Sequence, residues 1–309
     1  MKGPLFYAKI LLFGEYGIIK DSKGLAIPYN TYQGALKKSN TYTEEAKLSH
    51  ANLNKFYDYL MQLEANDNAQ FDLDAFKSDL NEGMYFDSSI PQGYGVGSSG
   101  ALVAAIYDKY AKNKITVLEN LTRDKLLSLK ATFSKMESFF HGKSSGLDPL
   151  NSYLSIPILI NSKDDLETTG IPSQKPGKGA VFLLDSKMVG ETAPMVSIFM
   201  NKMKQKGFRK MIDEDFAKLT DACIDHFLKA EMNALFGDVK QLSKIVLKNF
   251  KPMIPKAFHK LWEQGIATND YYLKLCGSGG GGYILGFTKD YEKTKMILKD
   301  YDLELVYRF

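Results

Sequence analysis

Apolar side chains recur along this chain at intervals of three and four over some stretches and in short unbroken runs over others. The clearest helical stripe is Leu126, Leu129, Phe133, Met136 and Phe140, which predicts a helix over about Asp124–Phe140. A second, Phe216, Leu219, Cys223, Phe227 and Ala230, predicts one over 214–230. Weaker helical patterns fall on 53–63, 74–80, 238–249 and 256–264. Unbroken runs read as strands. Tyr7–Ile19 gives an early strand, a break at Gly14 and a second short strand, before a polar turn at Lys20–Gly24. Ala180–Leu184 opens the second half with a buried strand, and the chain closes as strand (Tyr283–Phe287), helix (Asp290–Lys299) and strand (Asp302–Tyr307). Strands and helices mix in both halves, which predicts α/β or α+β layers. The Gly- and Pro-rich stretch Gly170–Gly179 reads as a connector, so two domains are expected, 1–170 and 171–309.

Composition narrows the function classes. At 309 residues with 44% hydrophobic residues the chain can bury two cores without covalent staples. Cys223 and Cys276 do not form a CxxC pair, which argues against a disulfide framework or structural zinc and fits a reducing cytoplasm. The net charge of +4 is scattered rather than gathered in a basic stripe, so nucleic acid is not an expected partner. No run approaches a membrane span, and the apolar core at Ile10–Phe13 is too short for a signal segment.

Two glycine-rich segments carry candidate chemistry. In Pro91–Ala101 the alternating Gly93, Gly95 and Gly97 surround Tyr94 and Val96 and lead through Ser98 and Ser99 into a small-residue helix, Ser98–Tyr110. Glycines let a backbone curl around a bulky anion, and the helix start adds unpaired N–H groups and a positive dipole end. The Gly-Lys-Ser/Thr ending of a Walker A loop is missing, and the spacing is not that of a dinucleotide fingerprint. A plain surface turn is the alternative. The run Gly277–Gly282 holds Gly277, Gly279 and Gly280 among five glycines and is flanked by strands. Such a run is entropically costly, which suggests close backbone packing against a nucleotide or against the first glycine loop.

Three charged residues stand where their chemistry is awkward. Glu137 borders the apolar stripe in the last turn of its helix, where both burial and the dipole oppose a carboxylate. It either ligates a cation or reaches solvent past the stripe. Asp148, after His141-Gly142-Lys143-Ser144-Ser145-Gly146-Leu147, is either a proton acceptor for a hydroxyl or an ordinary turn aspartate before Pro149. Lys9, inside the apolar run Tyr7–Phe13, either faces outward by alternation or pairs with a carboxylate or phosphate.

Taken in order, Tyr7–Tyr16, Pro91–Gly100 and Gly277–Gly282 resemble the three motifs of the GHMP kinase superfamily. The segment His141–Asp148, with Glu137 eleven residues before Asp148, is similar to the corresponding loop of mevalonate kinases. The resemblance implies an α+β two-domain GHMP kinase architecture, with a ribosomal S5-like N-terminal domain and a ferredoxin-like C-terminal domain. It implies ATP and Mg²⁺ as cofactors and γ-phosphoryl transfer to a hydroxyl, mevalonate being the leading acceptor. Phosphomevalonate kinase, a sugar kinase, mevalonate diphosphate decarboxylase and a non-catalytic nucleotide binder are the alternatives.

The implied roles are Asp148 as base, Lys9 as its partner, and Ser99 and Glu137 as metal ligands. Gly93, Gly95, Val96, Gly97, Ser98, Ser99, Gly277, Gly279 and Gly280 are the implied nucleotide contacts. Glu15, Tyr16, His141, Ser144, Ser145 and Thr192 are the implied substrate contacts. The expected partners are ATP and a small-molecule alcohol, with a homodimer as the candidate assembly, in the cytoplasm, with neither nucleic acid nor membrane. The chain departs from the family pattern at Ala8, Tyr16, Gly100, Ser144 and Tyr283.

Overall fold

The computed structural model describes residues 3–20, 22–39, 43–67, 71–118 and 120–309, without the side chains of 64–67. The chain forms two compact units, and each contains pieces distant in sequence. The first comprises Met1–Lys9, Pro28–Pro91 and Gly97–Ile156; the second comprises Ile10–Ile27, Gln92–Val96 and Pro157–Phe309.

Two long strands, β1 (Phe6–Phe13) and β2 (Gly24–Lys38), run through both units. In the first unit they are followed by α1 (Glu44–Asp67), α2 (Leu73–Asn81), β3 (Met84–Ser88), α3 (Ser98–Tyr110), α4 (Arg123–His141) and α5 (Leu147–Leu154). Strand β3 pairs antiparallel with the end of β2, from Gly34↔Ser88 to Lys38↔Met84. Helix α3 packs on α4 and α5, and Tyr107, Phe133 and Tyr153, one from each, meet edge to face at 4.9–5.6 Å. The expected stripe on α4 is buried at Leu126, Leu129, Phe133 and Met136.

The second unit adds β4 (Ile158–Ser162), β5 (Asp165–Thr168), β6 (Ala180–Asp185), α6 (Thr192–Lys202), α7 (Lys206–Met211), α8 (Ala217–Leu228), α9 (Met232–Asn249), α10 (His259–Thr268), β7 (Tyr272–Leu275), β8 (Tyr283–Thr288), α11 (Tyr291–Ile297) and β9 (Leu303–Arg308). Strands β7, β8, β6 and β9 form an antiparallel sheet in that order. Helix α9 packs on β7, with α8 and α10 against α9. The fully buried Trp262 donates its indole N–H to Ser243 Oγ at 2.8 Å, so a large core residue keeps its polar atom satisfied. Antiparallel sheets carrying helices make the class α+β.

Several local expectations are corrected. The stretch after Gly14 is not a strand: Gly17–Lys20 is a 3₁₀ turn, entered through Gly14 (φ +113°) and Tyr16 (φ +62°). Strand geometry cannot pass through two positive-φ residues in three positions. The helix expected over 214–230 begins instead as a π-turn, Ile212–Phe216, before α8. The segment 141–149 is only in part a loop, because α5 begins at Leu147. Gly146 (φ +73°) sets that start and Pro149 occupies the first turn, where a missing N–H costs nothing. Strand β2 was not foreseen, since its exposed positions break the apolar run.

An ion cluster locks α2 to β2 and α3 in the first unit. Asp79 receives Lys38 at 2.6 Å, Lys109 at 2.5 Å and the Tyr110 hydroxyl at 2.5 Å. Partial burial by itself would raise its carboxyl, but the bonds from Lys109, Lys38 and Tyr110 outweigh that and hold it down at about 2. A depressed folded value means the stabilisation is present above the unfolded value of about 3.8 and is lost as pH falls toward 2. Asp79→Asn is expected to cost on the order of 1 kcal/mol at pH 7, after discounting for solvent screening. The loss should shrink between pH 4 and pH 2; equal denaturation midpoints for both proteins at pH 7 would refute it.

Candidate active site

The first unit brings together residues from β1, α3, α4 and the start of α5. Lys9 lies on β1 between fully buried Ala8 and Ile10 and is itself only 5% exposed. Its ammonium meets Asp148 Oδ1 at 2.8 Å. The partnered side of the alternative raised by the sequence is therefore the observed one. Strand β1 and α5 are tied by the Ser152 hydroxyl, which donates to the Tyr7 carbonyl at 2.8 Å, so the ion pair rests on anchored backbone at both ends.

Close approach of α3 to these groups depends on glycine. Gly97 (φ +82°) precedes α3, and a Cβ there would come within 3.0 Å of the Lys9 stem. A Cβ on Gly100 would lie 2.7 Å from the Asp148 carbonyl carbon and 2.8 Å from the Pro149 nitrogen. Helix α3 thus sits one methyl group nearer to α5 than alanine would permit, which accounts for the departure at Gly100. The N-cap residue of α3, Gly97, has no side chain with which to cap the first N–H groups of the helix.

Glu137, on the inward side of α4, is 3% exposed. Its Oε1 accepts the Ser99 hydroxyl at 3.0 Å, and its Oε2 accepts the Ser144 hydroxyl. Ser144 in turn accepts the Gly146 N–H at 3.0 Å, and its carbonyl accepts the Ser134 hydroxyl at 2.6 Å. The serine that stands where the resemblance leads one to expect proline therefore braces the 142–146 turn against Glu137. His141 Nε2 lies 3.0 Å from Ser99 Oγ, and Ser145 Oγ accepts the Leu147 N–H at 3.4 Å. Burial pushes the Glu137 carboxyl up to about 7, with repulsion from Asp148 adding to it; the two serine hydroxyls and Lys9 only partly compensate.

The second unit holds the other expected residues. Gly93 and Gly95 (φ +75° and +78°) lie against the β7–β8 turn, in which Gly277, Gly279, Gly280 and Gly282 all have positive φ. A Cβ on Gly95 would come 2.6 Å from the Cys276 carbonyl, and one on Gly282 would come 2.5 Å from Tyr94 Cα. Tyr283 N–H donates to the Tyr94 carbonyl at 3.3 Å. The segment 188–190 joins them, with Gly190 N–H on the Gly93 carbonyl at 2.9 Å and Gly282 N–H on the Met188 carbonyl at 2.5 Å. The two glycine runs are thus packed backbone to backbone. Val96 is buried there, while Gly97, Ser98 and Ser99 belong to the first unit.

Glu15 and Lys274 form an ion pair buried to 4–6% exposure, and Lys274 also donates to the Leu275 carbonyl at 2.9 Å. Tyr16 is buried, stacks on Phe199 at 4.6 Å and donates to the Ser278 carbonyl at 2.7 Å. Ser278 Oγ reaches Thr192 Oγ1, at the start of α6, at 3.4 Å. Lys274, Ser278 and Gly190 were not singled out from the sequence. For Lys274 the signal was available, because a lysine within the run Tyr271–Cys276 poses the same burial problem as Lys9.

Residues 57–155 match the family model described as GHMP kinases N terminal domain. Over those residues the chain is similar to that family, and its fold is similar to those of several solved kinases. L. major mevalonate kinase in complex with R-mevalonate is 17% identical, covers 97% of this chain and 93% of its own, and has a TM-score of 0.63. Methanococcus jannaschii mevalonate kinase is 18% identical, covering 99% and 98%, with a TM-score of 0.60. Streptococcus pneumoniae phosphomevalonate kinase, in complex with phosphomevalonate and AMPPNP, is 13% identical, covering 98% and 99%, with a TM-score of 0.61. No curated protein matches the chain by sequence. Among the described residues, no helix is long and apolar enough to cross a membrane.

The raised Glu137 carboxyl carries a linkage. Between about 4.5, its ordinary value, and 7 the folded protein holds a proton that the unfolded chain has released. Stability from this group is fully present below 4.5 and declines as pH rises through 7, by up to about 3 kcal/mol. In metal-free protein, urea unfolding at pH 5 and pH 8 should therefore show a larger drop for the wild type than for Glu137→Gln. Parallel pH dependence in the two proteins would remove Glu137 as its source.

Proposed function

We propose that this chain is an ATP-dependent small-molecule kinase that transfers the γ-phosphoryl group to a substrate hydroxyl, with mevalonate the leading acceptor. The observation that carries the reading is the Lys9–Asp148 ion pair lying against Gly97 at the start of α3, where Ser99 donates its hydroxyl to Glu137 of α4. A binding module has no need of a carboxylate paired with a buried ammonium beside the start of a helix.

In this reading the acceptor hydroxyl oxygen attacks the γ-phosphorus, the bond to the β–γ bridging oxygen breaks, and ADP leaves with that electron pair. The hydroxyl proton passes to Asp148. Lys9 holds Asp148 in place through their ion pair and offsets charge that develops on the transferring group. The α3 N–H groups hold phosphate oxygens. Most of the rate enhancement then comes from positioning and electrostatics.

The residues around Glu137 fit a magnesium ion. A buried carboxylate forced up to about 7 is short of positive charge, and the Ser99 hydroxyl lies beside it. Among the described residues no three His, Cys, Asp or Glu side chains cluster as a metal site. Mg²⁺ requires no such cluster, since it is commonly held by one or two carboxylates together with water and phosphate oxygens. Glu137 and Ser99 would hold it, and it would supply charge neutralisation for the phosphates.

Mevalonate leads because Glu137 and the His141–Asp148 segment follow the mevalonate kinase pattern, and because mevalonate kinases are among the similar folds. ADP release measured over mevalonate, phosphomevalonate, homoserine and sugars tests the acceptor. Asp148→Asn should lower turnover by about 10²–10⁴-fold while ATP binding persists. Near-normal turnover in that variant would exclude Asp148 as the base.

A further inference from the structure

We infer that His141 is a positioning residue that orients the Ser99 hydroxyl for a metal–nucleotide complex, an inference that rests on the proposed kinase reading. Ser99 Oγ has two neighbours at 3.0 Å, Glu137 Oε1 and His141 Nε2. A serine hydroxyl offers one hydrogen and two acceptor sites. The Ser99 hydroxyl donates its one hydrogen to Glu137 Oε1. His141 must then donate to Ser99 through Nε2–H, which assigns its tautomer. One acceptor site on Ser99 remains, and the two hydrogen bonds fix where it points.

The framework around this contact is built to hold it. Ser99 lies in the first turn of α3 and His141 in the last turn of α4. The two helices pack on one another, and Gly142 (φ +70°) ends α4 immediately after His141. The Glu137 carboxylate is held on its other oxygen by Ser144, so Ser99 cannot swing without breaking a bond on each side. The imidazole itself is exposed, which means its removal leaves no cavity in the core. Groups of this kind, which orient a ligand without touching the metal, commonly change metal affinity by about 10–100-fold.

The test separates this inference from the kinase reading by using two measurements that need no turnover. Long-range ¹H–¹⁵N correlation of the metal-free protein at about pH 8.5, where free imidazoles are neutral, should show His141 as the Nε2–H tautomer. Ser99→Ala should remove that preference. Calorimetric affinity for Mn²⁺·ATP should fall about tenfold in His141→Ala and return to within about threefold in His141→Gln, whose amide places a donor near the same point. If the panel acceptor is found, the KM for Mg²⁺·ATP should rise with the binding loss while the KM for the alcohol stays level. An Nδ1–H tautomer in the wild type, or unchanged Mn²⁺·ATP affinity in His141→Ala, overturns the positioning role. Absence of phosphoryl transfer to every acceptor, with the tautomer and affinity results as expected, would overturn the kinase reading while leaving His141 as a nucleotide-site positioning residue.

Discussion

Two carboxylates, Glu137 and Asp148, share the neighbourhood of one buried ammonium, that of Lys9, and this imbalance of charge governs the first unit. Lys9 is committed to Asp148 at 2.8 Å, which leaves Glu137 with serine hydroxyls for partners. Hydroxyls stabilise an anion less than a full charge does, and burial withdraws water from it. The result is a carboxyl driven up to about 7, a condition that an added cation would relieve. The second unit offers a useful contrast. There one buried carboxylate, Glu15, meets one buried ammonium, Lys274, which also donates to the Leu275 carbonyl. A balanced pair of that kind holds structure in place, whereas an unbalanced set invites a ligand.

The geometry that sustains this imbalance is supplied by missing side chains as much as by charged ones. Gly97 and Gly100 bring α3 against β1 and α5, the first beside the Lys9 stem and the second against the Asp148–Pro149 backbone. In the second unit Gly95 and Gly282 allow two loops to stack backbone on backbone, with the 188–190 segment hydrogen-bonded to both. Positive φ at Gly93, Gly95, Gly277, Gly279 and Gly280 makes these turns inaccessible to most other residues. Close packing of rigid backbone is what allows a loop to present its N–H groups in a fixed array.

Much of this was legible in the residue order. A lysine in an apolar strand, a glutamate beside a buried stripe and an aspartate before proline each pose a local energetic problem, and alternating glycines are costly unless something packs against them. Each of these problems is visible without coordinates because burial and backbone entropy are properties of a short window. Less legible were β2, whose pattern is broken by exposed positions, and α5, which hides within a polar segment because its helix start is set by Gly146 rather than by a capping side chain. The role of Tyr16 as a brace on the Ser278 carbonyl was also hidden, since its partner lies 262 residues away.

By itself the residue order determined which side chains would be uncomfortable alone: Lys9, Glu137, Asp148 and the glycine runs. Only the tertiary structure decided how each discomfort is resolved. It gave Lys9 to Asp148 rather than to Glu137, set Ser144 and Ser99 on the two oxygens of Glu137, and placed His141 on Ser99. The physical reason is that unsatisfied charge is a local quantity, while the choice of partner depends on distances between segments far apart in the chain.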